Sequence, residues 1–513
     1  MRIHNIYRAG TLPLLLLAAR NSEAADTPPA KTETSPNIIY ILSDDMGYGD
    51  ISILNKCDSK LITPNLDKLA KEGMIFTDAH SGSSVCTPTR YGVLTGRYAW
   101  RSRAKRGVLS GYSKHLIEDN RMTVPSFLKE SGYKTAMFGK WHLGMDFTFT
   151  DENKKVIDWN KKIKFSPVHY GFDYFYGISA SLDMPPYIYI ENDKFQGACT
   201  EPMPKIDHAR TGKLAPGFHL ENVLPEITEK CAEYIIKQKN SKKPFFIYLA
   251  LTAPHTPLLP TKEFQGKSGL GNYGDFCLEV DAMVGRIMQA VKDAGITENT
   301  MIVFTSDNGC APYVGVQALE KKGHFPSYIY RGYKSDIFEG GHRVPFIVRW
   351  PKKVKPGSKS SETICLTDML ATCADITGKK LPDNAGEDSL SIIPALLGSR
   401  INHAKRAGVV HHSIAGYFAI RKGNWKLEMC PGSGGWGYPN HKIAIEKNLP
   451  QIQLYNLEKD PEEKNNVAAA NPEITADLKA LLENYIKNGR STPGSPQPYV
   501  KPKKWPQINW MGR

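Results

Sequence analysis

Past its first 25 residues the chain has no apolar run approaching the roughly 20 residues that span a bilayer, so the mature protein is expected to be soluble, without a membrane span. Its nine cysteines, at positions 57, 86, 199, 231, 277, 310, 365, 373 and 430, include no pair at metal-finger spacing, which argues against a zinc knuckle. There is no basic helix carrying heptads and no aromatic and glycine run of the kind that stacks RNA bases, so no nucleic-acid partner is expected. No internal repeat is present. The glycine-rich run at 430–439 (CPGSGGWGYP) lacks the Lys and Ser or Thr that complete a phosphate cradle, and reads as a lid or rim over a pocket.

What is present suits a large globular protein. The chain has 513 residues, 41% of them apolar and 23% charged, enough for a sizeable core and two or more structural units. The formal charge is +14, which draws anionic partners over long range without selecting among them. Arg2 and Arg8, the apolar run 12–19 and the small residues Ala24 and Ala25 have the layout of a secretory signal peptide over 1–25. Its removal takes away three arginines and one glutamate. The expected location is secreted or periplasmic, or lysosomal or extracellular in a eukaryote. Export permits disulfides, while buried free thiols remain the alternative for the eight cysteines other than Cys86.

A linker over 26–36 precedes residues 37–45 (NIIYILSDD), a near-continuous apolar run that ends on two acids. A buried parallel strand reads this way when a site lies at its carboxyl end. Residues 244–255 (PFFIYLALTAPH), 301–309 (MIVFTSDNG) and 344–350 (VPFIVRW) are further strand candidates. Helical patterns lie between them at 65–72, 124–130 and 281–294. The alternation predicts an α/β protein with helices on both faces of the sheet, and in such sheets ligands bind beyond the carboxyl ends of the strands. Beyond about residue 400 the pattern changes to hairpin-like strands at 416–429 and 451–457, then a helix over 472–487. The expected division is a main domain over 37–400, a smaller C-terminal α+β subdomain with a short antiparallel sheet over 401–490, and an extended tail over 491–513.

Asp44 and Asp45 close one strand, and Asp307 and Asn308 close another. Three carboxylates and a carboxamide are oxygen ligands suited to a hard cation, calcium or less favourably magnesium. Taken singly, either doublet also reads as a helix or turn cap. Residues 84–97 (SVCTPTRYGVLTGR) shift the balance, because a helix opening just after Pro88 would set its positive end beside Cys86 and favour an anion there.

Cys86, Pro88 and Arg90, followed by Leu94–Arg97, resemble the signature of the formylglycine-dependent (type I, arylsulfatase-like) sulfatases. Residues 132–142 (GYKTAMFGKWH) resemble that family's second signature, with Phe138 bulkier than its pattern. The likeness continues through His255, the turn at Asp307, Asn308 and Gly309, Lys334 in 332–345 (GYKSDIFEGGHRVP), and 454–466. It implies an alkaline phosphatase-like core built on a large mixed, mostly parallel sheet. It also implies that Cys86 is oxidised to formylglycine by a formylglycine-generating or anaerobic sulfatase-maturating enzyme.

The implied reaction is sulfate-ester hydrolysis. One hydroxyl of the hydrated aldehyde attacks sulfur and expels the alcohol, and the second hydroxyl then expels sulfate. The resemblance places Asp44, Asp45, Asp307, Asn308 and residue 86 on calcium, and Lys140 and Lys334 on sulfate oxygens. Arg90 orients the aldehyde hydrate, His142 assists its deprotonation, and His255 with Lys334 protonates the leaving alcohol. Asp183 and His342 are candidates for substrate contact. A sulfated carbohydrate, of terminal galactose or N-acetylgalactosamine type, fits an exported basic enzyme best, with aryl sulfates as synthetic substrates. The rivals are a phosphoester or phosphonate hydrolase of the same superfamily and a non-catalytic glycan-binding relative.

Overall fold

A computed structural model describes residues 35–55, 59–153 and 156–512. The expected leader over 1–25, and all of the 26–36 linker except its last two residues, lie outside the described residues. The described residues form one compact unit.

At its centre is a ten-stranded sheet. Five neighbouring strands run parallel: Thr300–Ser306, Asn37–Ser43, Phe245–Ala250, Lys134–Lys140 and Tyr174–Ile178. Their apolar side chains are almost wholly buried, which explains why their sequences run apolar without alternating. Phe346–Arg349 joins antiparallel beside Thr300–Ser306, so the sheet is mixed. The helices Pro64–Lys71, Val223–Lys237 and Asn272–Asp293 pack against one another, and Cys86–Thr95, Val124–Glu130 and Met369–Thr377 form a second group. Together they flank the two faces of the sheet.

The expected α/β class and mixed sheet are what the protein adopts. Two helices depart from the expected bounds. The helix expected over 281–294 begins nine residues earlier, at Asn272, because Tyr273, Phe276, Cys277 and Val280 extend the same buried face. The helix expected to open after Pro88 starts at Cys86 itself, with Pro88 inside its first turn where a missing N–H costs nothing.

Past residue 400 the four strands Val409–His412, Phe418–Lys422, Trp425–Glu428 and Gln453–Asn456 form a separate antiparallel sheet. The helix Pro472–Asn488 packs on it. The carbonyl of His412 accepts from Ser84 N at 3.0 Å and Ser83 Oγ at 2.9 Å, so the small sheet braces the segment leading into Cys86. The tail is less extended than expected. Trp505 is buried against Trp100 and Phe418, and Pro506–Met511 closes as a 3-10 helix. The eight described cysteines are free and buried. Among the described residues no helix is long and apolar enough to cross a membrane.

Candidate active site

The carboxyl ends of the parallel strands converge on one buried charge cluster. Asp44 and Asp45 follow the strand Asn37–Ser43, Asp307 and Asn308 follow Thr300–Ser306, and Lys140 ends Lys134–Lys140. His255 lies five residues beyond Phe245–Ala250. All of them have almost no exposed surface, as do Cys86, Arg90 and Lys334. Three non-glycine residues at this edge, Asp45, His142 and Ser335, hold φ at 67°, 58° and 84°. Such left-handed conformations are sterically disfavoured and persist only where the surroundings enforce them, most often at functional sites.

Arg90, one turn into the helix from Cys86, is the central cation. Its Nε and one terminal nitrogen donate to Asp307 Oδ2 at 3.0 and 2.7 Å, and the other donates to the Lys140 carbonyl at 3.2 Å. The same guanidinium lies 3.3 Å from Asp44 Oδ1. Lys140 Nζ donates to both oxygens of Asp44 at 2.9 and 2.7 Å. Lys334 Nζ donates to Asp45 Oδ2 at 2.7 Å, and His255 Nε2 stands 3.6 Å from that oxygen. Burial pushes the Asp44 carboxyl up, but Lys140, His255 and Arg90 together outweigh it and hold it at about 2. The Asp44 carboxyl therefore stays ionised although it is buried, the state in which a carboxylate can ligate a metal.

Cys86 Sγ lies 3.7 Å from Asp44 Oδ1, and ligand atoms of Asp44, Asp45, Cys86 and His255 fall within 4.8 Å of one another. Asn308 Nδ2 donates to Asp45 Oδ1 at 2.7 Å, while its Oδ1 is buried without a hydrogen-bond partner. A buried acceptor left open amid carboxylates suits a hard cation, so these residues fit calcium. Burial also drives the Cys86 thiol up to about 12, against the pull of Lys140 and Lys334. As a cysteine this residue is a poor nucleophile at neutral pH.

His142 Nε2 donates to the Leu109 carbonyl at 2.7 Å, which leaves Nδ1 as the unprotonated nitrogen, buried without a partner. Burial and the neighbouring Lys140 hold the ring neutral, well below the usual histidine range. His255 Nδ1 donates to the Thr256 carbonyl, so its Nε2 is the ring nitrogen turned to the cluster.

Of the expected substrate contacts, Asp183 and His342 are not brought into this cluster. Asp183 accepts from Arg210, through its backbone carbonyl at 2.9 Å and in a side-chain pair at 3.5 Å. His342 is fully buried elsewhere, its Nδ1 3.1 Å from His80 Nδ1 and its ring stacked 3.8 Å from His411. Burial and the adjacent His411 and Lys426 hold it neutral. With no exposed surface and its nitrogens engaged by His80 and the Ile337 carbonyl, it packs between His80 and His411 and is a correction to the expected substrate contact.

Sequence reasoning also missed Tyr313, whose hydroxyl lies 3.4 Å from Lys334 Nζ. Its only signal was a position six residues after Asp307. The glycine-rich run 430–439 reaches the same corner, where Gly437 N donates to Asp336 Oδ1 at 2.8 Å and Trp436 N to Ser335 Oγ at 2.9 Å.

Comparison with known proteins points the same way. The family model described as Sulfatase matches residues 36–379. An N-acetylgalactosamine-6-O-sulfatase of Bacteroides thetaiotaomicron is 34% identical over 92% of this chain and 97% of its own length. Human arylsulfatase A is 32% identical over 87% of each chain. A solved structure from a study of the metabolism of multiple glycosaminoglycans by Bacteroides thetaiotaomicron superposes with a TM-score of 0.78 at 34% identity, covering 88% of this chain and 99% of that one.

Proposed function

The chain belongs to the sulfatase family and is a sulfuric ester hydrolase, and from that footing we propose a formylglycine at position 86, a calcium ion and a terminal sulfated sugar as the working parts. Asp44, Asp45, Asp307, Asn308 and residue 86 hold the calcium. Bound there, the ion supplies charge neutralisation at the sulfate oxygens. Lys140 and Lys334 turn to those same oxygens from the carboxylates they now pair with. Arg90 fixes residue 86 and the carboxylates in one geometry. His142 takes the proton of the hydrated aldehyde on Nδ1, and His255 Nε2 with Lys334 delivers one to the departing alcohol.

The observation that carries this reading is the Cys86 thiol, placed among Asp44, Lys140 and Lys334 and pushed up to about 12. An unmodified cysteine there would be almost wholly protonated, whereas an aldehyde hydrate offers a hydroxyl without needing a thiolate. A galactose- or N-acetylgalactosamine-type sugar at the chain end, which loses its sulfate and keeps its glycosidic bond, is supported by the relative named as an N-acetylgalactosamine-6-O-sulfatase, and position 6 is the preferred sulfate. Export, maturation by a formylglycine-generating or anaerobic sulfatase-maturating enzyme, and division into a catalytic part over 37–400 and a subdomain over 401–490 complete the proposal.

The test pairs mass spectrometry of the residue-86 peptide with turnover of 4-nitrophenyl sulfate, 4-nitrophenyl phosphate and 6-sulfated N-acetylgalactosamine. Converted wild type should release sulfate in preference to phosphate, and Cys86→Ala should release none. Preferred phosphate turnover, or equal inertness of Cys86→Ala and a converted wild type, would overturn it.

A further inference from the structure

The catalytic lysine nearest the protein surface stands at the foot of an aromatic wall. Tyr313, in the short turn Pro312–Val314, meets Lys334 through its hydroxyl. Its ring lies 5.7 Å from the His208 ring at an interplanar angle of 26°, and 5.9 Å from the Trp436 ring at 50°. These rings are not packed into a core. Tyr313 is 38% exposed and Trp436 47% exposed, and His208 is also exposed. Contiguous exposed aromatic surface beside a polar site is how ligand grooves are built, with an apolar face for contact and a few polar groups for orientation.

The wall is held from three directions. Tyr313 follows the metal-site turn. His208 lies two residues before Arg210, which ties that segment to Asp183. Trp436 is presented by the glycine-rich loop, and here the glycines are needed: a β-carbon on Gly435 would stand 2.4 Å from the Ser335 carbonyl oxygen, and one on Gly437 2.1 Å from Asp336 Oδ2. Only bare backbone can lie that close to residues 335 and 336. The backbone that carries the indole is thus anchored by two hydrogen bonds, from the amides of Trp436 and Gly437.

We propose that Tyr313, Trp436 and His208 form a stacking subsite for the second sugar of the substrate, the ring joined to the one that carries the scissile sulfate. This rests on the sulfated-carbohydrate reading above. Lys334 faces the sulfate, so the sulfated ring lies beside Tyr313. Trp436 is one ring further from the lysine and meets the next sugar through its apolar C–H face. The same geometry gives a small sulfate ester nothing to stack on at Trp436.

The experiment compares kcat/KM for a 6-sulfated disaccharide with that for the 6-sulfated monosaccharide, in converted wild type, Trp436→Ala and Trp436→Phe. An aromatic contact of this kind corresponds to about a tenfold change. The disaccharide-to-monosaccharide ratio should fall about tenfold in Trp436→Ala, through KM more than kcat, and return in Trp436→Phe. A ratio unchanged in Trp436→Ala while wild type cleaves both substrates would overturn the subsite alone. A converted wild type that cleaves neither would overturn the carbohydrate reading and the subsite with it. Circular dichroism establishes that both variants are folded.

Discussion

Replacing Arg90 with alanine should expose how much of this site's stability rests on one guanidinium. The side chain is fully buried and makes three hydrogen bonds, two of them to Asp307 Oδ2. Asp44 keeps Lys140 when Arg90 is lost, but Asp307 Oδ2 loses both guanidinium donors. Removing one partner of a buried pair leaves an uncompensated charge and costs about 3–5 kcal/mol. Arg90→Lys keeps the charge but not the planar fork, and should cost about 1–3 kcal/mol. The assay is equilibrium urea unfolding with a chelator present, reading the shift in midpoint at constant slope, on protein with Cys86 unconverted so that maturation plays no part.

The pH dependence supplies a second reading of the same substitution. Asp44 is held at about 2 when folded, against about 3.9 when unfolded. A depressed carboxyl contributes stability that is present above about pH 4 and is lost as pH falls towards 2. Arg90 is one of the groups that hold Asp44 down, so the gap between wild type and Arg90→Ala should be widest at neutral pH and narrow below about pH 4. A loss under about 1 kcal/mol at pH 7, or a gap that does not change between pH 7 and pH 3, would refute the reasoning.

Three further outcomes follow from the site. Unconverted Cys86, with its thiol at about 12, should react with iodoacetamide at pH 8 about a thousandfold more slowly than an ordinary thiol; peptide mass spectrometry over a time course reads this, and labelling at the free-thiol rate would contradict it. Asn308→Ala removes the open buried oxygen and should weaken calcium binding by at least about tenfold in titration calorimetry, with unchanged affinity assigning the ion elsewhere. His255→Ala should lower kcat/KM for a sugar sulfate by about 10²–10⁴ but depress 4-nitrophenyl sulfate far less, because nitrophenolate leaves without a proton; equal losses on both would remove His255 as the acid.

The legible parts of this protein were those written in contiguous residues. The apolar runs within 37–45 and 301–309 read as buried strands ending on acids, and they fold as the strands Asn37–Ser43 and Thr300–Ser306 with those acids at their carboxyl ends. Cys86, Pro88 and Arg90 lie within one helical turn and a half, so the short motif that carries the resemblance to the sulfatases was legible in contiguous residues. His342 was misplaced because nothing local distinguishes a histidine turned towards a pocket from one buried against other histidine rings. Its partners His80 and His411 come from positions 262 residues before it and 69 after it.

Local sequence thus determined the α/β class, since apolar strand runs alternating with amphipathic helices depend on neighbours a few residues apart, and it marked Cys86 and the polar strand ends as the candidate site. Tertiary structure alone decided which cation pairs with which carboxylate: Lys140 with Asp44, Lys334 with Asp45, Arg90 chiefly with Asp307. It also brought Trp436 and His208 to Tyr313 from loops more than 200 residues apart. Charge pairing and aromatic contact act across a few ångströms of space, and only the register of the parallel strands and the docking of the small C-terminal sheet set those distances.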